Sequence, residues 1–304
     1  MKILLLGRDG QVGGQLLPRL ETLGTVTACG RGEADLERPA DLAALVLDAR
    51  PDAIVNAAAY TAVDKAEAES ARARLVNAEA VAVLADAARR TGALLVHYST
   101  DHVFDGTKPG PYSEADLPNP LSAYGATKLA GEQAIAATGC RHWIFRTSWV
   151  FAPRGRNFAR TILTLARDRA ELRVVDDQHG TPTPAGLVAD VTAAFLRRAA
   201  GPARPADGLY HLAPHGDTTW CRFARSILAT ARDAGALLRC PPENVIAIPT
   251  ADYPTPARRP ANSRLRVAKL EATLGRRLPG WEDAAAPVLG ALAAEAAYDS
   301  RLAS

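Results

Sequence analysis

The sequence predicts an α/β fold, a Rossmann-like doubly wound parallel sheet with a smaller, interleaved C-terminal substrate-binding region. Three observations carry this expectation. The apolar run Ile3-Leu4-Leu5-Leu6 leads straight into Gly7-Arg8-Asp9-Gly10-Gln11-Val12-Gly13. Short apolar strands then alternate with helical segments up to Arg146. Beyond Arg146 this regularity gives way to polar and proline-containing loops. Strands and helices alternating at such lengths favour a parallel sheet covered on both faces.

Taken in order, 3–6 reads as a buried strand and 15–23 as the helix after the glycine turn. A second short strand spans 26–29, and a helix over 42–50 stops at Pro51. Strand 52–56 follows, then a long alanine-rich helical stretch over 66–90 and strand 93–98. Helix 122–137 precedes a strand at 143–146. Later, 157–169 and 219–234 read as helices, 208–212 as a returning strand, and 176–184 and 254–262 as irregular loops. Long loops of mixed charge serve as spacers or binding walls. The expected division is therefore 1–148 with about 184–212 as the nucleotide-binding part, and 149–183 with 213–304 as the substrate-binding region.

A chain of 304 residues with 48% apolar content can bury a substantial core. Its net charge of +3 is small, and the basic residues are dispersed, which argues against a nucleic-acid partner. Cys29, Cys140, Cys221 and Cys240 form no CxxC pair and are expected to be reduced. No apolar stretch is long enough for a membrane span or a signal-peptide core, so a cytoplasmic protein is expected. The six histidines are scattered without metal-ligand spacing, and His97, inside an apolar strand, reads as a satisfied internal residue.

The glycines Gly7, Gly10 and Gly13 permit a tight strand-to-helix turn where backbone N–H groups can approach a pyrophosphate. Such a turn is weak on its own and gains weight from its place after the first strand. The second strand ends at Cys29-Gly30-Arg31, with no carboxylate where an NAD-specific ribose site wants one. Arg31 is either a contact for a 2′-phosphate, favouring NADPH, or a solvated surface residue. Asp35 and Leu36 come later and are expected near the adenine. Asn56-Ala57-Ala58-Ala59 ends a core strand with small side chains past which a cofactor can run.

Tyr124-x-x-x-Lys128 puts a phenol and an ammonium one helical turn apart on one face. Thr100 ends a strand at the edge where open sheets hold ligands. Together they suit a reductase: Thr100 orients a ketone oxygen, Tyr124 protonates it, and Lys128 reaches the nicotinamide ribose. A phenol ordinarily titrates near 10, so Lys128 and the oxidised nicotinamide are expected to pull Tyr124 downward.

At these residues the chain resembles the dTDP-4-dehydrorhamnose reductase family, within the extended short-chain dehydrogenase/reductase superfamily. The similar stretches cover nearly the whole chain. They include the glycine turn, Asn56 through Glu67, His97-Tyr98-Ser99-Thr100-Asp101-His102, the Tyr124/Lys128 motif, Arg146-Thr147-Ser148-Trp149 and Arg259-Pro260-x-Asn262-Ser263. The resemblance implies NAD(P)H-dependent reduction of the C4 ketone of dTDP-4-dehydro-β-L-rhamnose, the last step toward an activated sugar for bacterial surface polysaccharides such as O-antigen. It implies Thr100, Tyr124 and Lys128 as the catalytic set and Gln11 and Val12 along the pyrophosphate. Asp35, Leu36, Ala59, Tyr60, Thr61 and Tyr98 would line the rest of the cofactor surface. Thr100, Asp101 and Trp149 would meet the deoxysugar, with Asn157, Arg259 and Asn262 on the nucleotide-sugar wall.

Three departures from the family pattern stand out. Gly30 occupies a position that is often acidic, which leaves NADH and NADPH both open. Gln15 lies where some members hold magnesium between subunits, so a homodimer bridged by that ion is not implied. His102 replaces a common aromatic residue. The alternatives are a related nucleotide-sugar epimerase or dehydratase, which recycles its cofactor, and a noncatalytic regulatory protein on the same scaffold.

Overall fold

Strand β1 (Lys2–Leu6) buries all but its first residue because its two faces are both covered. Ile3 and Leu5 pack into one apolar layer, and Leu4 and Leu6 into the opposite one. Each fully buried leucine of this kind is worth roughly 1.5–3 kcal/mol. The same period of two runs through β3 (Ala53–Asn56), β4 (Leu94–Thr100) and β5 (His142–Thr147). This computed structural model describes residues 1–199, 201–202 and 204–302.

With β2 (Thr25–Cys29) and β10 (Gly208–Leu212), these strands form a six-stranded sheet ordered β10-β5-β4-β3-β1-β2. All five pairings are parallel. The chain leaves β1 toward β2 and returns on the other side at β3, so the order reverses between β1 and β3, where open sheets form their ligand crevice. One face is covered by α1 (Gln11–Leu20) and α8 (Ala185–Arg197), with α10 (Ala268–Leu274) alongside. The other carries α2 (Pro39–Ala49), α5 (Ala80–Thr91) and α6 (Ala123–Thr138).

The helix expected over 66–90 is broken. It comprises α3 (Val63–Ala68), α4 (Ser70–Arg74), a π-helical turn at Leu75–Glu79 and then α5. The wide turn carries the buried Asn77, whose amide accepts from Tyr60 N at 2.9 Å and donates to Tyr60 O at 3.0 Å and Thr127 Oγ1 at 3.2 Å. A polar side chain thereby fixes the loop after β3 against α6. Alanine-rich periodicity carries no trace of such a bond.

A second apolar core joins α7 (Phe158–Asp168), α9 (Trp220–Asp233) and α11 (Trp281–Leu302). Small parallel and antiparallel pairs decorate it: β6 (Val150–Phe151) with β9 (Thr183–Pro184), β7 (Leu172–Val175) with β12 (Val245–Ile248), and β8 (His179–Gly180) with β11 (Thr218–Thr219). Among the described residues no helix is long and apolar enough to cross a membrane, and all four cysteines are free and buried.

Candidate active site

A cleft of about 990 Å³ runs along the carboxyl ends of β1, β3, β4 and β5, with one wall supplied by the second core. Every candidate site residue named from the sequence lines it except Gly13 and Asn262.

At one end lies the glycine turn. Gly7 has φ +83, and a Cβ there would sit 2.7 Å from Ala58 N. A Cβ on Gly13 would come within 1.9 Å of Gly7 O, so Gly13 serves the packing of the turn while Gly7 and Gly10 face the cleft. Helix α1 begins at Gly10 with no side chain capping it, which leaves its first N–H groups available to an anion. These features fit the pyrophosphate of a dinucleotide.

The chemical end is built on α6. Ser122 caps it by accepting from Gly125 N at 3.2 Å, and Gly139 ends it in a left-handed conformation. Tyr124, Lys128 and Glu132 thus fall on one stripe that faces β4. Thr100 donates to Asp101 Oδ1 at 3.0 Å, and Ser148 donates to Asp101 Oδ2 at 3.0 Å, which seats a buried carboxylate beside the cleft. Glu132 bonds Arg146 through both oxygens, at 2.9 and 2.6 Å, and also accepts from Ser99.

The expected lowering of Tyr124 is not what the protein's own groups produce. Burial pushes the phenol up to about 12, against a smaller lowering by the Thr100 hydroxyl, and Asp101 adds to the rise. Burial brings Lys128 down to about 8, with Glu132 opposing. Lys128 Nζ lies 3.1 Å from His97 Nε2, so its polar partner is the histidine. The resting site therefore favours a phenol.

The end of β2 has surroundings that the strand itself does not show. Gly30 itself bears no acid, but two carboxylates come round it: Glu33 accepts from Gly30 N at 2.9 Å, and Asp9 Oδ2 stands 2.1 Å from where a Cβ of Gly30 would be. Arg31 is about two-thirds exposed and pairs with Glu37, which also accepts from Arg72 at 2.8 and 3.0 Å. Asp9, Glu37 and Arg72 also line the cleft and were not singled out in the sequence: Asp9 sits inside the glycine motif and Glu37 directly after Leu36, whereas Arg72 arrives from α4.

On the wall supplied by the second core, Trp149 has φ +46 and lies against Gly180, where any Cβ would approach its indole within 2.4 Å. Trp220, not singled out in the sequence, stacks on it with centroids 3.5 Å apart. Asn157 donates to Gln11 Oε1 at 3.0 Å, which puts it at the glycine turn. Arg259 reaches across to Asp64 at 2.8 Å. Asn262 lies outside the cleft lining; its amide donates to Lys108 O and Gly110 O at 2.6 and 2.9 Å and accepts from Arg264, so it braces the 108–110 loop.

The profile of the RmlD substrate binding domain family matches residues 1–294. A dTDP-4-dehydrorhamnose reductase of Burkholderia thailandensis is 51% identical over 286 residues, 92% of this chain and 95% of its own. The Salmonella typhimurium enzyme of the same name is 48% identical over 93% of this chain and 95% of its own. A crystal structure of the Bacillus anthracis dTDP-4-dehydrorhamnose reductase in complex with NADP superposes with a TM-score of 0.86 at 31% identity, covering 94% of this chain and 98% of that one. The chain belongs to the dTDP-4-dehydrorhamnose reductase family.

Two departures from the reductase family pattern now have surroundings. Gln15 accepts from Arg19 at 3.3 Å, and Arg19 pairs with Asp190 at 2.6 Å, so an arginine on α1 meets an acid on α8 at this place. Among the described residues no three His, Cys, Asp or Glu side chains gather as a metal site. His102 packs edge-on against Tyr124, centroids 5.5 Å apart, with a buried Nδ1 that has no hydrogen-bond partner.

Proposed function

We propose that this chain reduces the C4 ketone of dTDP-4-dehydro-β-L-rhamnose to dTDP-β-L-rhamnose, using NADH or NADPH, with Tyr124 as the proton donor. The observation that carries this is the convergence of Thr100, Tyr124 and Lys128 on one cleft wall, between a dinucleotide-shaped glycine turn and the Trp149/Trp220 stack. The names of the close relatives point to the same substrate.

When bound, the reduced nicotinamide would supply hydride to the ketone carbon. Thr100 orients the ketone oxygen, and Tyr124 gives it the phenol proton, forming the product hydroxyl and leaving a phenolate. A phenol held well above neutrality is the right starting form for this direction. Gly7, Gly10, Gln11 and Val12 would hold the pyrophosphate, with Asp35, Leu36, Ala59, Tyr60, Thr61 and Tyr98 along the remaining cofactor surface. Trp149 and Asp101 would meet the deoxysugar, and Arg259 would face its nucleotide portion. Around Gly30, acids that suit a free ribose hydroxyl mix with arginines that suit a 2′-phosphate, which supports use of both cofactors. Residues 1–148 with about 184–212 would form the cofactor half and the remainder the sugar half. The buried free cysteines suit a cytoplasmic setting.

The test supplies the 4-keto sugar nucleotide with NADH and NADPH separately. Stoichiometric loss of cofactor absorbance with appearance of dTDP-L-rhamnose is expected. An epimerised sugar with no net cofactor consumption would assign the chain to epimerase chemistry instead.

A further inference from the structure

The glycine turn is bonded directly to the end of β2. Gly7 N and Arg8 N both donate to Cys29 O, at 2.9 and 3.2 Å. Asp9 comes next in the chain, and its side chain is thereby carried over Gly30. Gly30 is buried, and a Cβ on it would stand 2.1 Å from Asp9 Oδ2. The Asp9 carboxylate thus fills the space that any side chain at this strand end would enter. The glycine at 30 makes room for the acid at 9.

The acids around this strand end are not equivalent. Glu33 accepts from Arg8 Nη2 at 2.6 Å and from Gly30 N at 2.9 Å, and the Arg8 bond holds its carboxyl below the usual range. Glu33 does not line the cleft. Asp35 Oδ1 accepts from Glu37 N at 3.0 Å. Glu37 Oε1 accepts from both Arg31 and Arg72. Asp9 lines the cleft with its side chain 74% exposed, and among the described residues no group donates a hydrogen bond to it. Its ion-pair partner is Arg8 Nε at 3.6 Å, and the other nitrogens of that guanidinium donate to Ala28 O and Glu33.

An acid at the end of the second strand reads the adenosine ribose in two ways: it accepts from a free 2′-hydroxyl and it repels a 2′-phosphate. A hydrogen bond to an ionised acceptor is the stronger kind, and a phosphate monoester brings about two negative charges of its own.

We propose that Asp9 reads the adenosine ribose, supplying from the glycine turn the carboxylate that Gly30 leaves absent from β2, and that it tilts the site toward a cofactor with a free 2′-hydroxyl. This specificity role rests on the reading of the glycine turn as the pyrophosphate site. Arg31 and Arg72 act in the opposite sense, and the Glu37 carboxylate that they share weakens them. Use of NADH and NADPH together is then a balance between Asp9 and two partly neutralised arginines.

The experiment measures Kd for NADH and for NADPH by fluorescence titration of the full-length parent, Asp9→Asn and Glu37→Gln. Asp9→Asn keeps the size of an exposed side chain and removes its charge. It is expected to weaken NADH about fivefold and to lower the ratio of the NADPH Kd to the NADH Kd about tenfold. Glu37→Gln frees two arginines and should act on NADPH, leaving the NADH Kd within about twofold of the parent. A ratio in Asp9→Asn within about threefold of the parent's overturns the proposal, since exposed charges that make no contact have effects of that size. Loss of NADH affinity in Glu37→Gln rather than in Asp9→Asn also overturns it and gives the role to Glu37. Binding of neither cofactor would remove the pyrophosphate site and this proposal with it. The tenfold shift without ketosugar reduction would sink the catalytic reading alone and leave Asp9 in its role.

Discussion

Trp149 lies flat on Trp220, ring centroids 3.5 Å apart and planes 11° from parallel. The pair joins the strand-end region of the sheet to the first turn of α9, and Gly180 supports it from behind. Gly180→Ala drives a methyl group into the Trp149 indole. The expected result is a rise of about tenfold or more in KM for the sugar nucleotide with cofactor Kd unchanged, on the principle that small misplacements of binding groups are costly. Steady-state kinetics and fluorescence titration with NADPH check it.

Tyr124→Phe keeps the ring and its packing against His102 and removes the transferable proton. Turnover should fall by about 10²–10⁴ while NADPH still binds. Near-normal turnover would remove Tyr124 from the reaction.

Lys128 gives a stability signature with a defined sign. Its folded midpoint, about 8, lies below that of an ordinary lysine near 10.5. The unfolded chain therefore holds more protons between these values, and stability rises with pH across that window and is lost as pH falls through 8. Lys128→Met should be more stable than the parent at pH 6, by on the order of 3 kcal/mol, and should lose that advantage above about pH 10.5. Urea unfolding at the two pH values measures the difference; a pH-independent difference would contradict it.

Glu132 and Arg146 form an ion pair with side chains only 7% and 3% exposed. Glu132→Gln leaves the guanidinium buried without a counter-charge, and a loss of about 3–5 kcal/mol is expected in urea melts. A loss under 1 kcal/mol would mean that water reaches the pair.

Arg31 tests the cofactor end. Arg31→Ala should weaken NADPH more than NADH, by about fivefold in the ratio of their Kd values, a modest amount because Glu37 already neutralises the guanidinium. Equal weakening of both would mark Arg31 as a solvated surface residue.

The sheet was legible because its central strands are covered on both faces and so read as short, nearly unbroken apolar runs, and the turn because Gly7 and Gly13 leave no room for side chains. The sequence also indicated Thr100, Tyr124 and Lys128 through strand end and helical spacing. It indicated a lowered Tyr124 where the fold raises it, because periodicity does not report how strongly burial acts on the phenol. It located no helix at α8 or α11, and it ran α3 through α5 together across the turn that Asn77 requires. A motif likewise marks Asn262 as constrained without saying whether a ligand or the 108–110 loop, which its amide bonds, constrains it.

One amide spans both halves of the molecule. Asn157 donates to Gln11 in the glycine turn, while its oxygen caps α7 at Arg160 N. A shift of Gln11 is therefore transmitted to the opening residues of a helix that lies almost 150 positions further along the chain. Amide exchange at the head of α7 is therefore expected to change when a dinucleotide occupies the turn.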